Sequence, residues 1–286
     1  MLTGASGALA SSVARYLNAC GGYRVIALPH TANDTQPLAL DVTDRNSVEH
    51  ALTEVAPDVV LHLAGYFGGN LDEAQAVNVQ GTLHLLETVE RSDATVRVVL
   101  AGSAAEYGIV EPEANPIHET RVLRPVSAYG VTKAWQTQLA CLFAARGLDV
   151  LVARIFNLIG EGLSERLFVG RVARQIAEIK SGTRATIEVG PLSAVRDYLP
   201  LDEAAEQIAA IFSFGRAGEI YHVASGQPVA MRDVLSGLLS ANGLDSQIVR
   251  EADHLSNRTG YDVPVIYGHI GKTHQLLQRW RARGTA

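Results

Sequence analysis

Two rhythms alternate along the first 156 residues. Short apolar, β-branched runs fall at Tyr23–Leu28, Val59–Leu63, Val96–Ala101 and Val150–Ile155. Longer stretches with helical spacing of apolar positions cover Leu9–Asn18, Arg45–Val55, Glu73–Ser92 and Tyr129–Arg146. Continuously apolar strands belong to a parallel sheet covered on both faces, with the helices as crossovers. Right-handed crossovers then predict an α/β fold with a doubly wound parallel sheet. After Phe156 the rhythm loosens. Helices are predicted near Leu167–Lys180, Leu201–Phe212 and Met231–Asn242, with short strands at Thr186–Val189 and Glu219–Val223. The predicted division is a sheet domain over 1–156 and a smaller lobe over 157–286, partly interleaved with the first. No Pro/Ser-rich linker separates them.

Composition fits this picture without sharpening it. Of 286 residues, 47% are apolar and 19% charged, enough for a sizeable core. A net charge of −6 argues against a nucleic-acid-binding surface and against an anionic membrane as partner. No apolar run reaches the roughly 18–20 residues that span a bilayer, and no signal peptide precedes the first motif. The expected location is cytoplasmic. Cys20 and Cys141 are read as two buried thiols, since no Cys/His cluster has zinc spacing; no metal is expected.

The chemistry begins at the N-terminus, with Gly4-Ala5-Ser6-Gly7-Ala8-Leu9-Ala10. Glycines here permit a tight turn and close backbone approach to a pyrophosphate at the start of the following helix. Ala10 is small enough to stand where a third glycine is usual. A glycine-rich helix cap would use the same residues, so context decides. Asp41-Val42-Thr43-Asp44 follows a third strand region, where an acid can reach an adenine. Leu63-Ala64-Gly65 follows another strand, where backbone lines a cofactor, and Asn78 lies on the next helix. The set implies a dinucleotide-binding Rossmann domain. Only Met1–Thr3 precede the turn, so the central first strand is either very short or missing residues. NAD-specific sites usually carry an acid at the end of the second strand, where this chain has Pro29. That favours NADP, with NAD possible, and asks His30, Thr31 and Asn33 to help.

A tyrosine and a lysine stand four residues apart at Tyr129 and Lys133, in a chain of nine tyrosines and three lysines. Four residues apart on a helix puts both on one face. A nearby ammonium would lower the phenol by about 1–3 units and make an acid/base. Upstream, a strand ends at Ser103, where a hydroxyl faces the ligand crevice and could share the same oxygen. A strand-end serine is also a common cap.

With these residues in order, the chain resembles the extended short-chain dehydrogenase/reductase family, in its NAD-dependent epimerase/dehydratase (nucleotide-sugar) branch. The resemblance runs from Thr3 to about Thr273. It implies Ser103, Tyr129 and Lys133 as the catalytic triad, with Lys133 also binding the nicotinamide ribose. The implied cofactor set is Gly4, Ser6, Gly7, Ala8, His30, Asp41, Val42, Leu63, Ala64, Gly65, Asn78, Tyr129, Lys133 and Ile155. For a nucleotide-diphosphate sugar it implies Ser103, Asn157 at the diphosphate, Val189 beside the base, and Arg196 and Arg258 as phosphate or ribose clamps. Helices Glu73–Ser92 and Tyr129–Arg146 pair between subunits in the family, so a homodimer is expected. Trp135 on the second of them is read as packing, with an interface role possible.

Dehydratases of this branch carry an acid pair directly after the catalytic serine or threonine. Here those positions are Ala104 and Ala105, and an alanine transfers no proton. Glu106, one residue on, would point the other way on a strand. The segments Gly102–Gly108, Gly190–Tyr198 and Arg258–Gly268 most resemble GDP-4-keto-6-deoxy-mannose reductases. The expectation is NAD(P)H-dependent reduction of a C4 ketone. The alternatives are a 4-epimerase holding NAD and, from another class, a non-catalytic dinucleotide sensor. The stretch from Ala64 to Asn78, with Tyr66-Phe67-Gly68-Gly69-Asn70, is short for the family at a place that shapes the sugar pocket.

Overall fold

The computed structural model describes residues 1–32, 38–92, 94–255 and 263–283. Its first half runs β1 (Leu2–Thr3), α1 (Ala8–Cys20), β2 (Ala27–Leu28), α2 (Arg45–Val55), β3 (Val59–His62), α3 (Leu71–Ala74), a π-turn (Gln75–Gln80), α4 (Gly81–Arg91), β4 (Arg97–Ser103), α5 (Ala128–Ala145) and β5 (Val150–Ile155). There follow β6 (Asn157–Ile159), α6 (Phe168–Lys180), β7 (Ile187–Val189), β8 (Val195–Pro200), α7 (Leu201–Phe214) and β9 (Ile220–Val223). The chain closes with β10 (Pro228–Ala230), α8 (Met231–Ala241), β11 (Val249–Glu251), β12 (Val265–Ile266) and α9 (Gly271–Arg283).

Six parallel strands form the main sheet in the order β2-β1-β3-β4-β5-β9. The order reverses between β1 and β3, and a crevice opens beyond their carboxyl ends at such a switch point. On one face α1, α7 and α9 bury Val13, Leu17, Ile208, Ile211 and Trp280 against the strands. On the other, α2, α4 and α5 bury Val48, Leu85, Leu86, Ala140 and Phe143. The sheet is thus covered on both sides, which is why its strands carry no polar face.

The second lobe has its own small core, with Val172, Ile176, Ile187, Leu192, Tyr198 and Leu235. β8 is its axis, pairing with β10 antiparallel and with β6 and β12 parallel. β9 and the helices α7 and α9 lie on the main sheet, so the chain crosses between the two layers more than once after Phe156. Asp197 on β8 ties the crossings together. Its carboxylate accepts Ser225 N–H and Oγ–H at 2.7 Å each, Gly226 N–H at 2.9 Å and Gly268 N–H at 3.2 Å.

Several predicted elements change. β2 covers two residues rather than six, because β1 offers only Leu2 and Thr3 as ladder partners. The third strand region does not join the sheet. Leu40 N–H donates to Pro29 O, after which Asp41 Oδ1 takes both Thr43 N–H and Thr43 Oγ1–H and turns the chain into α2. The single helix predicted over Glu73–Ser92 is interrupted by the π-turn, which carries Asn78. Both cysteines are exposed rather than buried: Cys20 ends α1, and Cys141 lies on the outward face of α5. Trp135 packs only in part within the chain; it is 44% exposed on α5.

Candidate active site

Each strand end at the switch point delivers one piece of the site. After β1, Gly4 adopts φ +70°, and a Cβ there would lie 2.8 Å from the Ala64 backbone. Only glycine lets the first turn nest against the loop after β3. Gly7 is the N-cap of α1 and supplies no side-chain acceptor to the helix's first amides. Those amides and the helix dipole are what a pyrophosphate needs. Beside the turn a cleft of about 360 Å³ is lined by Ala5, Ser6, Ala10, Ala27 and Pro29. The turn and the bare N-cap therefore fit a dinucleotide.

At the adenosine end, His30 is exposed and its Nδ1 lies 4.0 Å from Asp41 Oδ1. Burial acts to raise the Asp41 carboxyl, but the two Thr43 hydrogen bonds outweigh it and hold the pKa below its ordinary value. Asn33 lies outside the described residues, as does Arg258.

Ser103 closes β4. Its Oγ accepts Ala105 N–H at 3.2 Å, so the hydroxyl caps a turn, and it lies close enough to Tyr129 to act on the phenol's pKa. Tyr129 is carried on the first turn of α5, whose N-cap Ser127 accepts Gly130 N–H at 3.0 Å. A Cβ on Gly130 would stand 2.5 Å from Ala105 O. That glycine lets the helix come close enough for Tyr129 to meet Ser103. The ring of Phe67 packs edge-on against Tyr129, centroids 6.4 Å apart.

Lys133 Nζ is buried and donates to Ala101 O and Gln136 Oε1, both at 2.8 Å, and lies 5.9 Å from the Tyr129 ring centroid. The expected lowering of the tyrosine by the lysine is not what this arrangement gives. Desolvation dominates at Tyr129 and pushes the phenol up to about 12, with the Ser103 hydrogen bond opposing it and Glu106 adding to the rise. Desolvation also brings Lys133 down to about 8, partly offset by Glu106. The ammonium is aimed at a carbonyl and an amide, not at the phenol oxygen.

Glu106 points away from the crevice, though not by strand alternation. Ala104–Glu106 is a 3-10 turn, and it rolls the side chain into the core. Its Oε1 accepts Ser103 N–H at 2.7 Å. Oε2 accepts Thr137 Oγ1–H at 2.8 Å and Arg154 Nη2–H at 2.7 Å. Arg154 in turn donates to Tyr107 Oη at 2.8 Å.

Asn78 is fully buried. Its amide holds Tyr66 N–H and Tyr66 O at 2.8 and 2.9 Å and donates to Thr132 Oγ1 at 3.0 Å. It thereby pins the Leu63-Ala64-Gly65 loop to α5, and Gly65 faces Lys133 Nζ and Asn78 Oδ1. Val42 is buried in the α2–α4 layer, and Ile155 ends β5 level with Ser103. In the second lobe, Asn157 is exposed and donates to Asp197 O at 3.1 Å. Val189 is buried in the lobe's core. Arg196 is 7% exposed and donates to Val195 O at 2.9 Å and Pro264 O at 3.3 Å. Thr137, Glu106 and Arg154 meet behind the site, and Gln136 separately reaches Lys133; sequence reasoning gave none of them a role there.

The comparisons with known proteins agree with this fold. The model of the NAD dependent epimerase/dehydratase family matches residues 1–224. The chain belongs to that family. It is an enzyme by that membership. It is 31% identical over 258 residues to GDP-6-deoxy-D-mannose reductase of Pseudomonas aeruginosa, covering 87% of this chain and 82% of the relative. A dTDP-glucose 4,6-dehydratase of Streptomyces griseus is 29% identical over 283 residues, 92% of this chain and 83% of the relative. Among solved structures it is similar to RMD from Pseudomonas aeruginosa complexed with NADPH, with TM-score 0.82, 26% identity and 99% of each chain covered. Among the described residues no helix is long and apolar enough to cross a membrane, and no His/Cys/Asp/Glu group could hold a metal ion.

Removing one partner of a buried ion pair strands the other. Glu106→Gln and Arg154→Met should each lower the unfolding free energy by about 3–5 kcal/mol in urea denaturation. The double variant should lose less than the sum of the two. Single-variant losses below about 1 kcal/mol, the range of solvated pairs, would rule out this role.

Proposed function

We propose that the protein reduces the C4 ketone of a nucleotide-diphosphate-linked 4-keto-6-deoxyhexose, GDP-linked by preference, with NADPH as the reductant. The observation that carries this reading is an arrangement: Tyr129 stands near Ser103 and on one helix face with Lys133, and the two positions after Ser103 are alanines rather than carboxylates. Reduction of a ketone takes up one hydride at carbon and one proton at oxygen. With its pKa raised to about 12, Tyr129 keeps its proton throughout the physiological range, so the proton is there to pass to an alkoxide, which is the stronger base. Ser103 hydrogen-bonds the same oxygen and fixes its place. The Lys133 ammonium sits on the same helix and supplies positive charge near the oxygen as the proton leaves.

Bound at the glycine turn, NADPH supplies the hydride. Pro29 at the end of β2 leaves no acid to bind a ribose 2′-hydroxyl, which favours NADPH over NADH. The exposed His30 and Thr31 are assigned to a 2′-phosphate. Gly4, Gly7 and the first amides of α1 hold the pyrophosphate, and the backbone of Leu63, Ala64 and Gly65 lines the remainder. Asn157 is assigned to the sugar nucleotide's diphosphate.

Elimination needs a second acid/base beside the serine. Ala104 and Ala105 provide none, and Glu106 spends its carboxylate on Ser103, Thr137 and Arg154. Epimerases of the branch hold NAD tightly and recycle it, and usually carry the acid that Pro29 replaces here, which tilts the reading toward a reductase. The retained Tyr129–Lys133 pair also speaks against a non-catalytic sensor. The similarity to a GDP-6-deoxy-D-mannose reductase supports both the reaction and the nucleotide.

A homodimer through α4 and α5 is part of the same proposal. Trp135 and Leu142, two turns apart on α5, are 44% and 47% exposed. On a sizing column the protein should elute at twice 30.6 kDa, and Trp135→Glu should shift it to the monomer. Elution of the unaltered protein at monomer mass would count against pairing.

Purified protein should oxidise NADPH only when a GDP-4-keto-6-deoxyhexose, or its dTDP, UDP or CDP counterpart, is supplied. Tyr129→Phe should lower kcat by about 10²–10⁴-fold, the usual worth of a positioned acid, while leaving NADPH binding intact. Activity that survives in Tyr129→Phe would mean that another group gives the proton.

A further inference from the structure

Lys133 is one of three lysines in the chain and the only one of them that is buried. Its ammonium makes two hydrogen bonds inside the protein, and the two acceptors differ in kind. Ala101 O belongs to the ladder end of β4. Gln136 Oε1 is a side-chain atom one helical turn further along α5, on a residue 1% exposed. A glutamine in that position could as easily turn its NH2 toward the lysine, which would set donor against donor.

What prevents the flip is a chain of buried groups, each with a partner. Gln136 Nε2 donates to Thr82 Oγ1 at 2.7 Å. Thr82 spends its own proton on Asn78 O at 2.8 Å, so toward Gln136 it can only accept. His62 Nε2 lies 3.3 Å from the same oxygen, and its Nδ1 lies 3.0 Å from Thr3 Oγ1. Thr3 Oγ1 accepts Ala64 N–H at 3.1 Å. These contacts are mutually consistent with His62 neutral and protonated on Nε2: it donates to Thr82 and accepts from Thr3. Burial, with Lys133 nearby, brings His62 down to about 3, so it stays neutral over the working pH range. The relay joins the residue before the glycine turn, the loop after β3, the π-turn and α5.

We propose that Gln136 is a positioning residue for the reaction: locked by Thr82 and His62, it presents its carbonyl oxygen to Lys133 and keeps the buried ammonium charged and aimed. A lysine held only by Ala101 O would lose one of its two acceptors in a site that already disfavours its charge. The titratable groups that face Lys133 are Tyr129 on its own helix, Glu106 in the turn after β4 and His62 on β3. Glu106 supports the charge, neutral His62 does not oppose it, and neutral Tyr129 offers its ring. Gln136 is the contact that can be altered without touching any of these.

The inference rests on Lys133 belonging to the reactive group, but its test needs no sugar and no cofactor. With three lysines in the chain, lysine-selective 13C labelling gives three side-chain signals, assigned by Lys180→Arg and Lys272→Arg, and each can be followed against pH by NMR. The Lys133 signal should titrate near pH 8 in the unaltered protein. In Gln136→Met the midpoint should fall by about 1 unit, the equivalent of one lost hydrogen bond to a charged group. In Gln136→Glu it should rise by about 1 unit or more. Thr82→Val keeps the glutamine but frees its amide, and should move the midpoint down by a smaller amount, which serves if Gln136→Met does not fold. Midpoints that stay within about 0.3 unit of the unaltered protein in the folded variants would overturn the proposal, since that is well under the shift expected for a lost hydrogen bond to a charged group. That outcome would leave the ketone-reduction reading standing, because the latter is decided by Tyr129→Phe turnover.

Discussion

The ion pair between Glu106 and Arg154 is the constraint on which the site depends. Both side chains are withdrawn from water, at 0% and 1% exposure, and meet at 2.7 Å. Pairs of this kind add little net stability over an apolar substitute, so geometry is the better measure of what this one does. Glu106 holds the Ser103 backbone with one oxygen and reaches Thr137 of α5 and Arg154 of β5 with the other. Three elements are thereby fixed against one another at one carboxylate. Ser103 comes from the first, Tyr129 and Lys133 from the second, and the start of the second lobe follows directly from the third.

The same burial sets the chemistry. Tyr129 and Lys133 lie on one helix face, and desolvation drives them toward their neutral forms, the phenol up and the ammonium down. Environments that push neighbouring titratable groups apart or together assign acid and base roles. Here the outcome is a phenol that holds its proton beside a lysine near the edge of holding its own. An acid of that kind is suited to protonating a developing alkoxide. The alanines at 104 and 105 complete the restriction by removing the groups that elimination would use.

Much of this was legible in the chain. The helical spacing of Tyr129 and Lys133, the glycine turn and the strand-end position of Ser103 are all local patterns, and local patterns survive without knowledge of the fold. Helix α2 and strand β5 fell within their predicted bounds because their apolar period is unbroken. The parts that escaped depend on partners far away in sequence. Glu106 and Arg154 are 48 residues apart, and Gln136 and Thr82 are 54 apart. No spacing rule links them. The spacing of Tyr129 and Lys133 also did not carry its expected electrostatic sign, because two residues on one helix face share a desolvation that pattern alone does not show. The exposure of the cysteines and Trp135 escaped for a related reason: composition gives a preference for burial, and only the end of α1 and the outward face of α5 show where that preference is not met.

The most direct measurement follows a hydride. With NADPH deuterated on the nicotinamide C4, on either face in separate reactions, and a GDP-4-keto-6-deoxyhexose, the product sugar can be analysed by NMR and mass spectrometry. A reductase with Tyr129 as its acid should place one deuterium at sugar C4 from one face only, with one NADP formed per sugar reduced. Interconversion of C4 epimers with no net NADPH consumed, or a product that has lost water, would contradict it.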